Sequence, residues 1–197
     1  MHDLGRNEDR LRGTYEFPFE FHHIDSTHPR YVMSYHWHVE CEIMRVLQGT
    51  LTVTLDEKSF TAKAGDVIFV NSGVLHSGIP QDCIYQCIVF DMNMFLKFNS
   101  VCTEYMQKIS HQELLIYHHF TEKQPDIQRA VNSLFDSFWQ RKPGYELVVF
   151  GQFYHFFGLV FGNHYYLESL RKTRRDYKRI VQLKQVVEFI EKNYASP

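Results

Sequence analysis

The 197-residue chain is 44% hydrophobic and 22% charged, which indicates a folded globular protein and excludes an intrinsically disordered one. No run of about 18 apolar residues is present that could cross a membrane, and the N-terminal residues do not have the pattern of a signal peptide. We therefore expect a cytoplasmic protein with no membrane contact, whose four cysteines are reduced and structural.

The charge is distributed unevenly along the chain. Residues 1–170 carry 13 Lys and Arg against 20 Asp and Glu, a net charge of −7, whereas residues 171–197 carry 8 against 3, a net charge of +5. Most of this excess is one basic cluster, which consists of Arg171, Lys172, Arg174, Arg175, Lys178 and Arg179. A basic run of this size is usually a solvated linker.

Residues 14–91 have the patterns of β-strands. Aromatic residues alternate with other residues from Tyr15 to Phe21 and predict one aromatic face, and Leu51, Val53 and Leu55 alternate with threonines. The predicted turns are 48–49, 56–59 and 71–73, and the predicted apolar strands are 67–70 and 84–90. Many short strands separated by turns predict a sandwich or a barrel.

The periodicity changes to that of helices after residue 125. Apolar residues recur at helical steps from Ile127 to Phe138; Pro125-Asp126 begins that helix and Lys142-Pro143-Gly144 ends it. A second helix over 146–163 is apolar on all sides, so it packs on its partner helix, on the barrel or on a second subunit. We expect more aromatic surface here than a small barrel can cover, and therefore a homodimer through 126–163. A third helix is predicted over 177–194.

Four side chains form a candidate metal site. His36, His38 and Glu42 have the same parity, so on a strand all three leave by one face. A later segment supplies His76, and three imidazoles with one carboxylate are donors that Zn²⁺, Ni²⁺, Mn²⁺ or Fe²⁺ accepts. The alternative is that the four line a pocket and hydrogen-bond a ligand, or one another, without a metal.

These two segments resemble the two sequence motifs of the cupin superfamily. The first motif, H-x-H-x3-E-x6-G, is complete from His36 to Gly49, and the second keeps its two glycines and its histidine. The chain departs from the pattern at three positions, Arg30, Asn71 and Pro80, where Gly, Pro and Asn are expected. The resemblance implies a mainly β protein, a double-stranded β-helix (jelly-roll) barrel with its site inside.

The whole order of elements is similar to that of regulators of the AraC/XylS type. Four features carry this resemblance: the cupin motif, a helical hairpin, the basic cluster, and residues 186–194, which resemble the first helix of the DNA-binding domain in that family. It implies an effector-binding barrel over 1–120, a dimerisation hairpin over 121–167, and a basic linker with the first helix of a truncated DNA-binding domain over 168–197. DNA is then contacted only through the missing C-terminal domain.

The resemblance also implies which residues bind the effector. They are the four candidate metal ligands, His36, His38, Glu42 and His76, together with Tyr85, which lies on a strand that lines the pocket in that family. We expect a ligand-sensing, dimerising domain without enzymatic activity. The alternative is a metal-dependent cupin enzyme, a dioxygenase or an isomerase of a small polar substrate. The basic linker and incomplete terminal helix favour the regulator.

Overall fold

The computed structural model describes residues 6–7, 12–97, 101–169, 182 and 186. The strands in these ranges are β1 Arg6–Asn7, β2 Phe19–Ile24, β3 Met33–Trp37, β4 Cys41–Leu55, β5 Lys58–Lys63, β6 Val67–Val70, β7 His76–Phe90, β8 Leu114–Ile116, β9 His119–Phe120 and β10 Tyr166–Glu168. The helices are a 3₁₀ helix, Met92–Leu96, and α1 Thr103–Ser110, α2 Pro125–Gln140 and α3 Tyr145–Gly162. The predicted basic linker and third helix lie outside the described residues, apart from Gln182 and Val186, which are both helical.

Two strands of 15 residues, β4 and β7, form the centre of the barrel. They pair antiparallel from Cys41 opposite Phe90 to Leu55 opposite His76. Each also changes its second neighbour along its length: β4 pairs with β6 and then β5, while β7 pairs with β3 and then β2. The resulting eight-stranded sheet is the predicted mainly β, cupin-type barrel, and β8 and β10 form a separate pair.

The predicted turn at residues 48–49 is wrong, because β4 continues through it. Its pairing with β7 shifts register between Val46 and Thr50, and Gly49 has a φ of 67°. A Cβ atom at Gly49 would clash with the backbone of Asp82 on the neighbouring strand. The glycine therefore belongs to a β-bulge, which can require a left-handed residue just as a tight turn does.

Alternation along the strands divides the buried side chains into two clusters. Met44 and Tyr85 belong to the cluster inside the barrel. Their neighbours in sequence, Ile43 and Gln86, leave by the opposite face, where Ile43 joins a second cluster beneath α2 and α3. The barrel therefore has a separate interior, and the outer apolar face of its sheet is covered by the helices.

Both predicted helices are present: the first begins at the predicted Pro125 and ends just before the predicted stop at Lys142, and the second lies within one residue of its predicted ends. Phe153, Phe156 and Phe157 of α3 have no exposed surface, and the Phe153 ring lies 4.6 Å from that of Phe90 and 5.1 Å from that of Phe19, between ring centroids. Phe156 packs on Phe69 of β6 and Phe120 of β9, and Phe157 packs on Phe95 of the 3₁₀ helix. The expectation that one barrel could not cover all of this aromatic surface is therefore wrong for these three rings, although Trp139 on the same hairpin stays 60% exposed.

The aromatic face predicted from Tyr15 to Phe21 is only partly formed. Phe17, Phe19 and Phe21 pack towards the helices, whereas Tyr15 is 77% exposed. The strand begins only at Phe19, because Pro18 has no amide hydrogen to donate and the preceding residues bend.

Candidate metal centre and ligand cavity

The structure brings the four predicted metal ligands together. His36 on β3 pairs in register with His76 at the start of β7, while Glu42 lies near the start of β4. His38 follows β3 directly, in the connection to β4. The prediction that residues 36, 38 and 42 lie on one strand is therefore wrong, and this connection brings them together instead. One ligand atom from each of the four side chains lies within 4.8 Å of every other, and His38, Glu42 and His76 are almost completely buried.

A short turn between β6 and β7 positions this group. Gly73, with a φ of 73°, donates its amide to the carbonyl of His38 at 2.9 Å, and the Ser72 hydroxyl donates to the neighbouring Val39 carbonyl. Asn71 stands where the cupin pattern expects proline. Its side chain exchanges two hydrogen bonds, of 2.8 and 3.0 Å, with the backbone of Ile116, which proline could not form.

Backbone carbonyls orient the three imidazoles. The Nδ1 atom of His36 lies 2.9 Å from the carbonyl of Ser34, and that of His76 lies 2.8 Å from the carbonyl of Val74. The Nδ1 atom of His38 is 3.1 Å from the carbonyl of Glu40. Because a carbonyl accepts only from a protonated nitrogen, each neutral ring carries its hydrogen on Nδ1 and presents an Nε2 lone pair.

The Nε2 atoms of His38 and His76 are buried and face Glu42. They lie 3.5 and 3.2 Å from its Oε2 atom, but neither has a hydrogen-bond partner among the described residues. A buried nitrogen without a partner is costly unless something satisfies it. A divalent cation would be bound by both nitrogens and by the carboxylate, so the donor set fits a metal ion.

The electrostatic environment favours the forms that bind a cation. Burial, assisted by the charge of a protonated His76, lowers the pKa of His36 to about 4, so this ring is neutral at neutral pH. Burial alone would raise the pKa of Glu42, but the contacts of His38 and His76 outweigh it and hold that pKa well below its usual value. A neutral imidazole and an ionised carboxylate can bind a metal without first losing a proton.

A cavity of about 360 Å³ adjoins the cluster inside the barrel. His36, His38 and Glu42 line it, as does Tyr85, the fifth predicted effector-binding residue. The Tyr85 hydroxyl donates to the carbonyl of Tyr31 at 3.2 Å, so its polar end is held by the backbone. The volume lies within the usual range for small-molecule sites.

Sequence reasoning missed several polar residues of this cavity, among them Arg12 and His22. Arg12 is only 3% exposed, and its Nη1 atom lies 2.6 Å from Oε2 of Glu20. His22 Nε2 lies 3.3 Å from the other oxygen of the same carboxylate. Glu20 and His22 are two residues apart on β2, and this spacing could have predicted that both side chains leave the strand by the same face. Arg12 lies before the strand, and no pattern in the sequence indicated its position.

None of the helices in the described ranges has the length and apolarity required to cross a membrane. Residues 18–156 match the family described as the AraC-like ligand binding domain. A segment of 56 residues is 34% identical to an uncharacterized helix-turn-helix-type transcriptional regulator of Bacillus subtilis (strain 168). That segment is 27% of this chain and covers 19% of the length of the regulator.

Solved structures overlap the chain only in part. A variant of Bacillus subtilis oxalate decarboxylase is 25% identical over 30% of this chain and 18% of its own, with a TM-score of 0.28. A conserved protein of unknown function from Streptococcus pyogenes is 15% identical over 37% of this chain and 62% of its own, with a TM-score of 0.32. Such partial overlaps say nothing about function. The match over residues 18–156, by contrast, covers most of the chain, which therefore belongs to the AraC-like ligand-binding domain family.

Proposed function

We propose that this barrel senses a small-molecule effector for a transcription regulator and that His36, His38, Glu42 and His76 hold a divalent metal ion within it. The observation that supports this most strongly is the convergence of four donor atoms beside a cavity of about 360 Å³ in a ligand-binding domain. Zn²⁺, Ni²⁺, Mn²⁺ and Fe²⁺ all accept three imidazoles and one carboxylate. A bound ion would supply a positive charge that binds and orients oxygen atoms of the effector.

Dimerisation and DNA binding are assigned to segments that follow the barrel. We propose that residues 1–120 bind the effector, that 121–167 dimerise, and that 168–197 lead into a DNA-binding domain. The similarity to a helix-turn-helix-type regulator supports this division. On the hairpin, Trp139 and Leu147 are 60% and 80% exposed and are suitable contacts for a second copy. Such a regulator would act in the cytoplasm.

A metal-dependent cupin enzyme is the second candidate. The donor set itself favours it, because three histidines and a carboxylate can also hold a catalytic ion beside a substrate. We propose that the domain is not an enzyme, since its family is one of ligand-binding domains. Turnover of a ligand that binds in the cavity would favour the enzyme instead.

Metal analysis tests the proposed site. The untagged protein, its His36→Ala/His38→Ala variant and a control variant, His155→Ala/His164→Ala, are compared by elemental analysis after gel filtration. Both control histidines are exposed on or just after α3. We expect a stoichiometric ion in the wild type and the control and a loss of at least tenfold in the first variant. Equal metal content in all three proteins would contradict the site.

A further inference from the structure

The charged groups around the cavity indicate what kind of ligand it holds. Arg12 and Arg30 line the cavity, and Glu42 is the lining carboxylate within the described part of the chain. Two more carboxylates lie behind the wall: Glu20 Oε2 is 2.6 Å from Arg12 Nη1, and Glu40 Oε1 is 3.9 Å from Arg12 Nε. In their ionised forms these five groups carry a net charge of −1. A divalent ion bound to Glu42 changes the total to +1.

The two charged groupings lie close to each other. Cys87 also lines the cavity, and its thiol interacts with the Glu42 carboxylate and, electrostatically, with Glu20 and Arg12. A ligand that fills the cavity therefore meets both the metal site and the Arg12 side chain. Because Arg12 and Glu42 are almost completely buried, a change of two units of charge beside them strongly affects whether the cavity accepts an anion.

One part of the wall is apolar and is formed by Ile24, Val32, Met33 and Val89, while polar side chains line other parts: His22, His28, Ser34 and Tyr35. Against the apolar part, a sugar would place hydroxyl groups on hydrocarbon, where they lose hydrogen bonds to water without replacing them. A ligand with one anionic end and one apolar end suits this wall better.

We infer that the ligand is a small carboxylic acid with an apolar tail, and that the chain binds it only when the metal ion is in place. This rests on the proposed function, since it names the class of effector for the same cavity. The carboxylate lies on the side of the metal site and Arg12, and the tail lies against the apolar wall. A 2-oxo or 2-hydroxy acid is the best case, because its second oxygen can also reach the cation.

The test is a calorimetric titration with a panel of 2-oxo and 2-hydroxy acids, such as 4-methyl-2-oxopentanoate, each matched with its methyl ester. The protein is used loaded with Zn²⁺, loaded with Mn²⁺, and free of metal, with the metal content measured beforehand. We expect acids to bind the loaded protein at least tenfold more tightly than their esters and at least tenfold more tightly than they bind the metal-free protein. By thermodynamic reciprocity, a bound acid must tighten metal binding by the same factor.

A pair of matched variants tests the contribution of Arg12. The Arg12→Met/Glu20→Gln variant removes both members of the closest ion pair of the cavity. Glu40, whose Oε1 lies 3.9 Å from Arg12 Nε, keeps its charge, so circular dichroism first checks that the variant is folded. The control, Lys63→Met/Glu122→Gln, removes an exposed ion pair of 3.2 Å on the outside of the barrel. We expect at least a threefold loss of acid affinity in the first variant and none in the control. Equal affinities would overturn the part assigned to Arg12.

Other outcomes separate this inference from the proposed function. If the esters or a neutral sugar such as arabinose bind as tightly as the acids, the class of effector is wrong while the sensing function stands. If the acids bind the metal-free protein equally well, the metal dependence is wrong. If no ligand of either charge binds to the cavity, the inference and the sensing function both fail.

Discussion

The partly buried His36 ring makes the stability of the metal-free protein dependent on pH. Burial, together with the neighbouring His76, lowers the pKa of His36 from 6.5 to about 4. In the unfolded chain a histidine titrates near pH 6.5. Between these two pKa values the unfolded chain therefore binds a proton that the folded chain does not, so the free energy of unfolding falls as the pH is lowered.

The size of this effect follows from the separation of the two pKa values. One pKa unit corresponds to about 1.4 kcal/mol. Between pH 6.5 and 4.5, with partial protonation near each pKa taken into account, His36 lowers the free energy of unfolding by about 2 kcal/mol. Stopping at pH 4.5 limits the contribution of Glu42, whose lowered pKa acts at more acidic pH.

The assay is urea unfolding at pH 6.5 and 4.5 after removal of metal by a chelator. Fluorescence of Trp37, which is 3% exposed, and circular dichroism both report the transition. The His36→Gln variant removes the titrating group, and His155→Gln replaces an exposed histidine as the control. The wild type and the control should lose about 2 kcal/mol more than His36→Gln over this pH interval. Equal losses in all three proteins would refute the reasoning.

Three further results are expected. Replacing Phe153 by Ala removes a fully buried ring and should lower the free energy of unfolding by about 3–5 kcal/mol in urea titrations. Leu147→Ala, at a side chain that is 80% exposed, should change the free energy of unfolding by less than about 0.5 kcal/mol. Similar losses of stability in the two variants would contradict the packing of Phe153. In light scattering, Leu147→Glu on the hairpin should yield a monomer, whereas Ile79→Glu should leave the dimer intact, since the Ile79 side chain is 65% exposed on the barrel rather than on the hairpin. A wild-type protein that is a monomer at tens of micromolar would exclude the proposed interface. In anisotropy titrations, the 197-residue chain should bind a promoter fragment and a scrambled duplex equally weakly, with dissociation constants of about 10⁻⁴–10⁻⁶ M in physiological salt. The reason is that its basic cluster offers only phosphate contacts, while the net charge of −7 over residues 1–170 repels DNA. A preference for the promoter would show a base-reading surface.

Local patterns in the sequence were sufficient to predict the candidate metal site and the helices. The H-x-H-x3-E spacing indicated His36, His38 and Glu42 as ligands, but the prediction that they share one strand was wrong, because β3 ends at Trp37 and β4 begins only at Cys41. The two helices of the hairpin were predicted because each has a run of apolar residues, and because Pro125 begins the first helix and Lys142-Pro143-Gly144 separates the two. Such signals depend only on neighbouring residues in the chain.

Other features depend on contacts between distant residues, which local patterns do not encode. The outward-facing aromatic residues of β2 and β7 bury Phe153, and that contact decided that α3 packs on its own barrel. The bulge at Gly49 follows from a register shift between β4 and β7, which the sequence does not show, because a glycine at this position is equally compatible with a tight turn. Arg12 reaches the cavity only because the barrel closes around it and Glu20 meets its charge. Pairing register and barrel closure are properties of the whole chain, so they decided which polar groups surround the ligand.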